Sequence, residues 1–213
     1  MRTLVVIPTY NERANIQALL NQVLSLPEGF HVLVVDDGSP DGTAQLVKEL
    51  QNQFPTRIHL LERAGKLGLG TAYLAGFRWG LNSGYDFIFE MDADFSHNPN
   101  DLSRLLHACL QEGADLAIGS RYVRGGGVIN WPFNRIALSK GASIYTRLIT
   151  GMPIKDPTAG FMCYSRKVLE ALNLDRIRFM GYAFQIEIKF KAWRAGFKLK
   201  EVPITFQDRT QGV

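Results

Sequence analysis

The sequence predicts an α/β fold, a mostly parallel sheet flanked by helices. Three observations predict it. Short β-branched runs such as TLVVIP (3–8) and HVLVV (31–35) are apolar without alternation, as strands buried on both faces are. Segments with apolar residues at helical spacing alternate with these runs, the pattern of right-handed strand–helix–strand crossovers. Polar and charged residues gather just after the runs, where open α/β sheets bind their ligands.

The elements follow in order. After TLVVIP, Asn11 can cap a helix carrying Ile16, Leu19, Leu20, Val23 and Leu24. The second strand runs into DDGSPDGT, where Asp41 or Thr43 can start a helix through Leu46, Val47 and Leu50. RIHLLER (57–63) reads as a third strand, and KLGLGTAYLAGFRWGLNSG as a glycine-rich approach to a helix. YDFIFEMDAD is a fourth strand, NPNDLSRLLHACLQEG a helix starting near Pro99 or Asn100, and DLAIGSRY a fifth strand. Beyond Arg121 the character changes. No acidic residue lies between Leu116 and Ile154, whereas Arg121, Arg124, Arg135, Lys140 and Arg147 do. Gly125 to Gly127 read as a flexible joint, and 133–150 as a basic amphipathic helical segment. DPTAGFMCYSR predicts a turn and a strand, VLEALNL and FQIEIKFKAWRAG two helices, and FKLKEVPITF a last strand. The chain stops at DRTQGV outside any element, so further C-terminal sequence is expected.

The composition bounds the function. With 213 residues, 46% apolar and 21% charged, the chain suits one large globular domain. A net charge of +4 favours anionic partners without requiring nucleic acid, and none is expected. Two cysteines far apart in sequence, Cys109 and Cys163, predict neither a disulfide framework nor a zinc site, which fits a reducing cytosol. Cys109 reads as packing on an apolar helix face. No run reaches the roughly 18 apolar residues of a membrane span, and no signal peptide precedes the first strand.

The chemistry centres on MDADFSH (91–97). Asp92 and Asp94 end a buried strand, and buried carboxylates need a cation or hydrogen-bond donors. The pair suits Mg²⁺ or Mn²⁺, which take oxygen ligands and share them with phosphates. Ser96 is close enough to add a hydroxyl or a water contact, although a short acidic turn would match the same letters. Of Asp36 and Asp37, one can cap the next helix while the other faces the site and meets a ribose or base. Pro8 fixes a strand exit, and Tyr10 offers a face for a base. The glycines at 65, 68 and 70 match no dinucleotide fingerprint, and no Walker loop is present. Lys66 can still approach a phosphate. Arg121, Arg135, Ser139 and Lys140 can hold a second anion or form a solvated basic face. His97 reads as a surface or supporting residue. Trp79, Trp131 and Trp193 read as packing, with Trp131 also placed to touch a membrane interface.

VVIPTYNE, VVDDGSPDGT, KLGLGTAYLAGF, MDADFSH, IGSRY and DPTAGFMCYSR, in this order over nearly the whole chain, resemble the family 2 glycosyltransferases of the GT-A fold. Within that family the chain is similar to the dolichol (polyprenol) phosphate mannose synthases. The resemblance implies a single GT-A catalytic domain over 1–213, with a nucleotide-sugar-binding half at 1–121 and an acceptor- and membrane-facing half at 122–213. It implies metal-dependent, inverting transfer of mannose from GDP-mannose to a polyprenyl or dolichyl phosphate. Asp92 and Asp94 would hold the metal, with Ser96 beside them where the family often has Gln. Pro8, Tyr10, Glu12, Val35, Asp37 and Ala93 fall on positions that contact the guanosine part. Arg121 and Arg209 fall on arginines near the phosphates, making Asp94 and Arg121 the expected catalytic pair. Arg121, Arg135 and Ser139 fall on positions that hold the lipid phosphate. A lipid monophosphate is already an anion, so it needs cations rather than a strong base.

Rival readings share some of these letters. The same machinery would accept UDP-glucose, or an undecaprenyl phosphate acceptor. An aspartate-nucleophile phosphatase also reads Asp-x-Asp after a strand, but normally the first strand. A nucleotidyltransferase needs a glycine-rich loop after the first strand, which TLVVIP lacks. A non-catalytic nucleotide-sugar binder is the remaining alternative. The expected location is cytoplasmic, peripheral on the cytosolic face of a membrane.

Overall fold

The structure, a computed structural model, describes residues 1–179 and 181–208. A seven-stranded sheet forms the centre. Its strands are β1 (Thr3–Thr9), β2 (His31–Asp36), β3 (Ile58–Glu62), β4 (Phe87–Glu90), β5 (Leu116–Ser120), β7 (Met162–Ser165) and β8 (Leu199–Pro203), in the order β3-β2-β1-β4-β7-β5-β8. All neighbours pair in parallel except β7, which is antiparallel to both β4 and β5. The alternating run from β1 to β5 is therefore as predicted. The insertion of β7 between β4 and β5 is not visible in local patterning. FKLKEVPITF is not one strand: Pro203 ends β8, and β9 (Thr205–Gln207) leaves to pair with β6 (Gly127–Ile129) in a separate two-stranded sheet.

Helices cover both faces. On one, α1 (Arg13–Ser25), α2 (Thr43–Gln53) and α4 (Asp101–Leu110) bury a core around Ile7, Leu20, Phe30, Val34, Phe89 and Leu105. On the other, α3 (Leu69–Asn82), α6 (Arg166–Ala171) and α7 (Tyr182–Arg194) bury Leu4, Val6, Val35, Phe77 and Tyr164 among others. Successive side chains of β1 alternate between the two clusters, which is why its whole run had to be apolar. Helix α3 lies especially close. A Cβ built on Gly76 would come within 2.3 Å of Val6 Cγ1, so the glycine permits that approach.

Local expectations fare unevenly. Asn11 does not cap α1. It sits at φ 61°, while Glu12 occupies the capping position and its carbonyl accepts from the N–H groups of Asn15 and Ile16. Asp41 does organise the start of α2, accepting from both the backbone N–H and hydroxyl of Thr43. The triple glycine is a close-packed turn rather than a loose joint. A Cβ on Gly126 would meet the Ser120 carbonyl oxygen at 2.5 Å, and Gly127 opens β6. The two cysteines, distant in sequence, are neighbours in space: both are free and buried, with Sγ atoms 3.6 Å apart.

Residues 133–150 form α5 (Phe133–Thr150). Its inward-facing positions are Ile136, Ser139, Ser143, Thr146 and Thr150, spaced three and four apart and mostly small and hydroxylated. Its large apolar residues point outward: Phe133 is 84% exposed, Leu138 76%, Leu148 78% and Ile149 69%. This reverses the usual amphipathic arrangement of a surface helix.

Candidate active site

A cavity of about 460 Å³ opens at the carboxyl ends of β1, β2, β4 and β5. The location follows from the topology, because the chain leaves the sheet in opposite directions at neighbouring strands there. β1 brings Pro8, Tyr10 and Glu12 to the wall, and β2 brings Asp37. The stretch after β4 supplies Asp92, Ala93, Asp94, Ser96 and His97, and the end of β5 supplies Arg121. Val35 does not reach the cavity with its side chain. It is fully buried in the core between the sheet and α3. Ser139 also lies outside the cavity wall, where its hydroxyl accepts a 2.6 Å bond from the Tyr122 hydroxyl. Arg209 falls outside the described residues.

The two acidic residues after β2 divide the work differently from the expectation. Asp36 neither caps a helix nor faces the cavity. Buried, it accepts from the hydroxyls of Thr9 and Ser39 and from the Ser39 N–H, tying the exits of β1 and β2 together. Asp37 lines the cavity, held by a two-pronged ion pair with Arg63 at 2.6 and 2.8 Å. Lys66 rests its ammonium 4.6 Å from the centre of the Tyr10 ring, placing a cation on the rim beside an aromatic face.

The Asp92–Asp94 pair is fixed from behind. Asp92 accepts a 2.9 Å bond from the buried Tyr73 hydroxyl, and Asp94 accepts from the Ser96 N–H. His97 is not a surface residue. It is 3% exposed, stacks on Phe161 at 4.8 Å, and accepts the Asp92 N–H on Nδ1. Burial lowers its pKa, so the ring is a neutral prop for the Asp92 backbone rather than an ion-pair partner of the nearby carboxylate. The donor set fits a divalent metal of the Mg²⁺ or Mn²⁺ type. It consists of hard carboxylate oxygens on a cavity wall, with the Ser96 hydroxyl buried and without a hydrogen-bond partner beside them. Among the described residues no cluster of three or more His, Cys, Asp or Glu side chains is placed to hold a metal. A cation here would complete its shell with oxygens from a ligand and water.

Arg121 is buried and strongly committed. Its guanidinium makes two bonds to Asp156, at 2.7 and 2.6 Å, and one to Thr158, while its backbone N–H also meets Asp156. Asp156 is fully buried, and the pair fixes Arg121 in the cavity wall. Arg135 reaches the cavity from α5, stacked 4.0 Å over Trp131 and paired with Asp208 at 2.8 Å. Trp131 is part of the site wall, and its indole N–H is buried without a partner.

Beneath the carboxylates lies a network that sequence reasoning missed. Glu90, two residues before Asp92, is fully buried and accepts from Tyr164 at 2.8 Å and Gln185 Nε2 at 2.7 Å. Burial raises its pKa to about 7. Lys189, also fully buried, donates to the carbonyls of Pro157, Ala159 and Gln185, and burial lowers it to about 8. The lysine thereby clamps the segment 157–160 that walls the cavity. The available signal was Gln185 and Lys189, four residues apart on the face of FQIEIKFKAW that also carries Phe184, Ile188 and Ala192, which helical periodicity alone assigns to solvent as readily as to the interior.

With this geometry established, similarity to known proteins assigns the class. The chain belongs to glycosyl transferase family 2, whose family description matches residues 4–172, and it is a glycosyltransferase. It is 54% identical, over its whole length and 80% of the relative, to the polyprenol monophosphomannose synthase of Mycolicibacterium smegmatis. It is 46% identical, over its whole length and 86% of the relative, to the undecaprenyl-phosphate mannosyltransferase of Micrococcus luteus. Among solved structures it resembles the glucosyl-3-phosphoglycerate synthase of Mycobacterium tuberculosis crystallised with Mn²⁺, UDP-glucose and phosphoglyceric acid. That match has a TM-score of 0.70 and 19% identity, covers the whole of this chain and 72% of the other, and establishes the fold.

Proposed function

We propose that the protein transfers mannose from GDP-mannose to a polyprenyl monophosphate with inversion, giving a polyprenyl phosphate β-mannose and GDP. The observation that carries this is one cavity joining the Asp92–Asp94 pair to Arg121, Trp131 and Arg135. The names of the relatives from Mycolicibacterium smegmatis and Micrococcus luteus support the lipid and the sugar. Pro8, Tyr10 and Asp37 would hold the nucleoside, and Asp92 and Asp94 the metal-bound diphosphate. When bound, Mg²⁺ or Mn²⁺ would supply charge neutralisation for the leaving diphosphate. Arg121 adds fixed positive potential to the same wall. An oxygen of the lipid phosphate attacks the sugar C1, and the C1–oxygen bond to GDP breaks with its electron pair. The attacking oxygen carries no proton near neutral pH, so no general base is needed. Glu90 does not line the cavity, which agrees with that. Arg135 and the Trp131 N–H would orient the incoming phosphate.

The outward apolar face of α5 would lie on the membrane surface that presents the lipid, with Lys140 and Arg147 toward anionic headgroups. No helix of the described residues is long and apolar enough to cross a membrane.

The test is transfer of label from GDP-mannose, with UDP-glucose in parallel, to a short polyprenyl phosphate with and without Mn²⁺. Metal-dependent label from GDP-mannose in the lipid phase is expected. Label from UDP-glucose alone would replace the sugar and base in this reading, and binding without transfer would reduce the protein to a nucleotide-sugar binder.

A further inference from the structure

Gln185 lies on α7 at the floor of the cavity and is 5% exposed. Its Nε2 donates to the Glu90 carboxylate at 2.7 Å, and the ionised carboxylate, which can only accept, keeps that end of the amide toward it. The amide oxygen, Oε1, is left buried with no hydrogen-bond partner. Buried polar atoms in native proteins are nearly always satisfied, and an unpaired acceptor is destabilising. A partner for Oε1 must be a donor, which excludes a phosphate oxygen. The wall is close here: Ala159 and Gly160 line the same cavity, and a Cβ on Gly160 would already lie 3.5 Å from Gln185 Nε2.

The sheet order says which part of a ligand reaches this point. Tyr10 and Asp37 leave β1 and β2, on one side of β4. Ala159 and Gly160 lead into β7, on the other side. Asp92 follows β4, between them. Glu90 and Asp92 face the same layer, because each accepts from a tyrosine of the same core cluster, Tyr164 and Tyr73. Gln185 therefore sits just below Asp92 and on the β7 side. A ligand with its nucleoside at β1 and β2 and its diphosphate at Asp92 places its sugar there. We infer that Gln185 Oε1 accepts a hydrogen bond from one hydroxyl of the transferred hexose, making Gln185 a specificity-determining residue for the sugar. This rests on the reading of the cavity as a nucleotide-sugar site. Lys189, which holds both the Gln185 carbonyl and the segment 157–160, is the positioning residue behind it.

The test compares sugar-bearing and sugar-free ligands. Calorimetric affinities for GDP and GDP-mannose, and for UDP and UDP-glucose, are measured with Mg²⁺ on the wild type and on Gln185→Met, whose fold is checked by its melting temperature. The nucleotide sugar that the wild type prefers is then titrated as its monodeoxy analogues. The substitution is expected to leave the nucleoside diphosphate within about 2-fold and to weaken the nucleotide sugar by roughly 10- to 100-fold. One monodeoxy analogue should show the same loss against the wild type and no further loss against the variant. This arm on the unaltered protein holds even if the variant does not fold. Equal weakening of diphosphate and nucleotide sugar, or a wild type indifferent to every deoxy position, would overturn the assignment. Preference for UDP-glucose would sink the GDP-mannose reading yet leave Gln185 tested on the same terms. Failure of both nucleotide sugars to bind would reject the two together.

Discussion

Asp92 and Asp94 differ in what holds them, and that difference sets the expected consequences of changing either. Asp92 takes a hydrogen bond from Tyr73 and has His97 beneath its backbone, so its replacement also disturbs buried groups. Asp94 is the cleaner probe. Asp94→Asn is expected to lower kcat/KM for metal-dependent transfer by roughly 100-fold or more while leaving the melting temperature within a few degrees. Turnover that survives with added Mg²⁺ would remove Asp94 from the metal site. Arg135→Ala is expected to raise the KM for the lipid phosphate roughly 10-fold, in the range of a lost charge-assisted bond, with donor affinity within about 2-fold. Equal losses on both substrates would move Arg135 to the donor. Lys189 makes a prediction in pH. Burial lowers its pKa to about 8 from 10.5, so between these values the unfolded chain binds the proton that the folded protein has released. Stability from this residue therefore rises with pH across that window, by on the order of 2 kcal/mol. Denaturant midpoints of the wild type should gain on those of Lys189→Met between pH 8 and 10. A constant difference would mean that the lysine stays charged when buried.

At the scale of elements, α3 and α5 pose opposite problems. Helix α3 comes so close to β1 that Gly76→Ala would drive a methyl group into Val6. Overpacking of this kind costs about 1–3 kcal/mol and should appear as a lowered denaturation midpoint. Helix α5 instead leaves its large apolar side chains in solvent. Exchanging two leucine-sized anchors for charges, as in Leu148→Glu with Ile149→Glu, should weaken sedimentation with anionic vesicles by roughly 1,000-fold, because each buried anchor is worth about 2 kcal/mol. GDP-mannose binding should be unaffected. Vesicle binding that resists the double substitution would remove α5 from the proposed membrane contact. The sequence showed α5 as a helix with basic residues but not which side faces inward. Periodicity reports where the apolar stripe lies, and the inward face here is made of Ser139, Ser143, Thr146 and Thr150, which no apolar count selects.

Across the whole molecule, residues from the ends of four strands, the start of α5 and the first turn of α7 enclose one cavity. The chain's own letters determined much of this. Unbroken β-branched runs required a sheet covered on both faces, and the alternation with helices made it parallel from β1 to β5. A polar cluster after each strand therefore had to collect at one edge, which picks out Tyr10, Glu12, one of Asp36 and Asp37, Asp92, Asp94 and Arg121; Pro8, Ser96 and Arg135 were candidates by their own chemistry, and the resemblance added Ala93 and the choice of Asp37. Only the tertiary structure decided the rest. The antiparallel β7 enters between β4 and β5, and with it come Asp156 against Arg121, the 157–160 segment under Lys189, and Gln185 against Glu90. Val35, on β2, packs into the core, and Ser139 stays outside the wall. Local patterning records whether a side chain is apolar and how often that recurs. It does not record which distant carboxylate will satisfy a buried arginine or amide, because that choice depends on desolvation and hydrogen bonding that exist only once the strands have met.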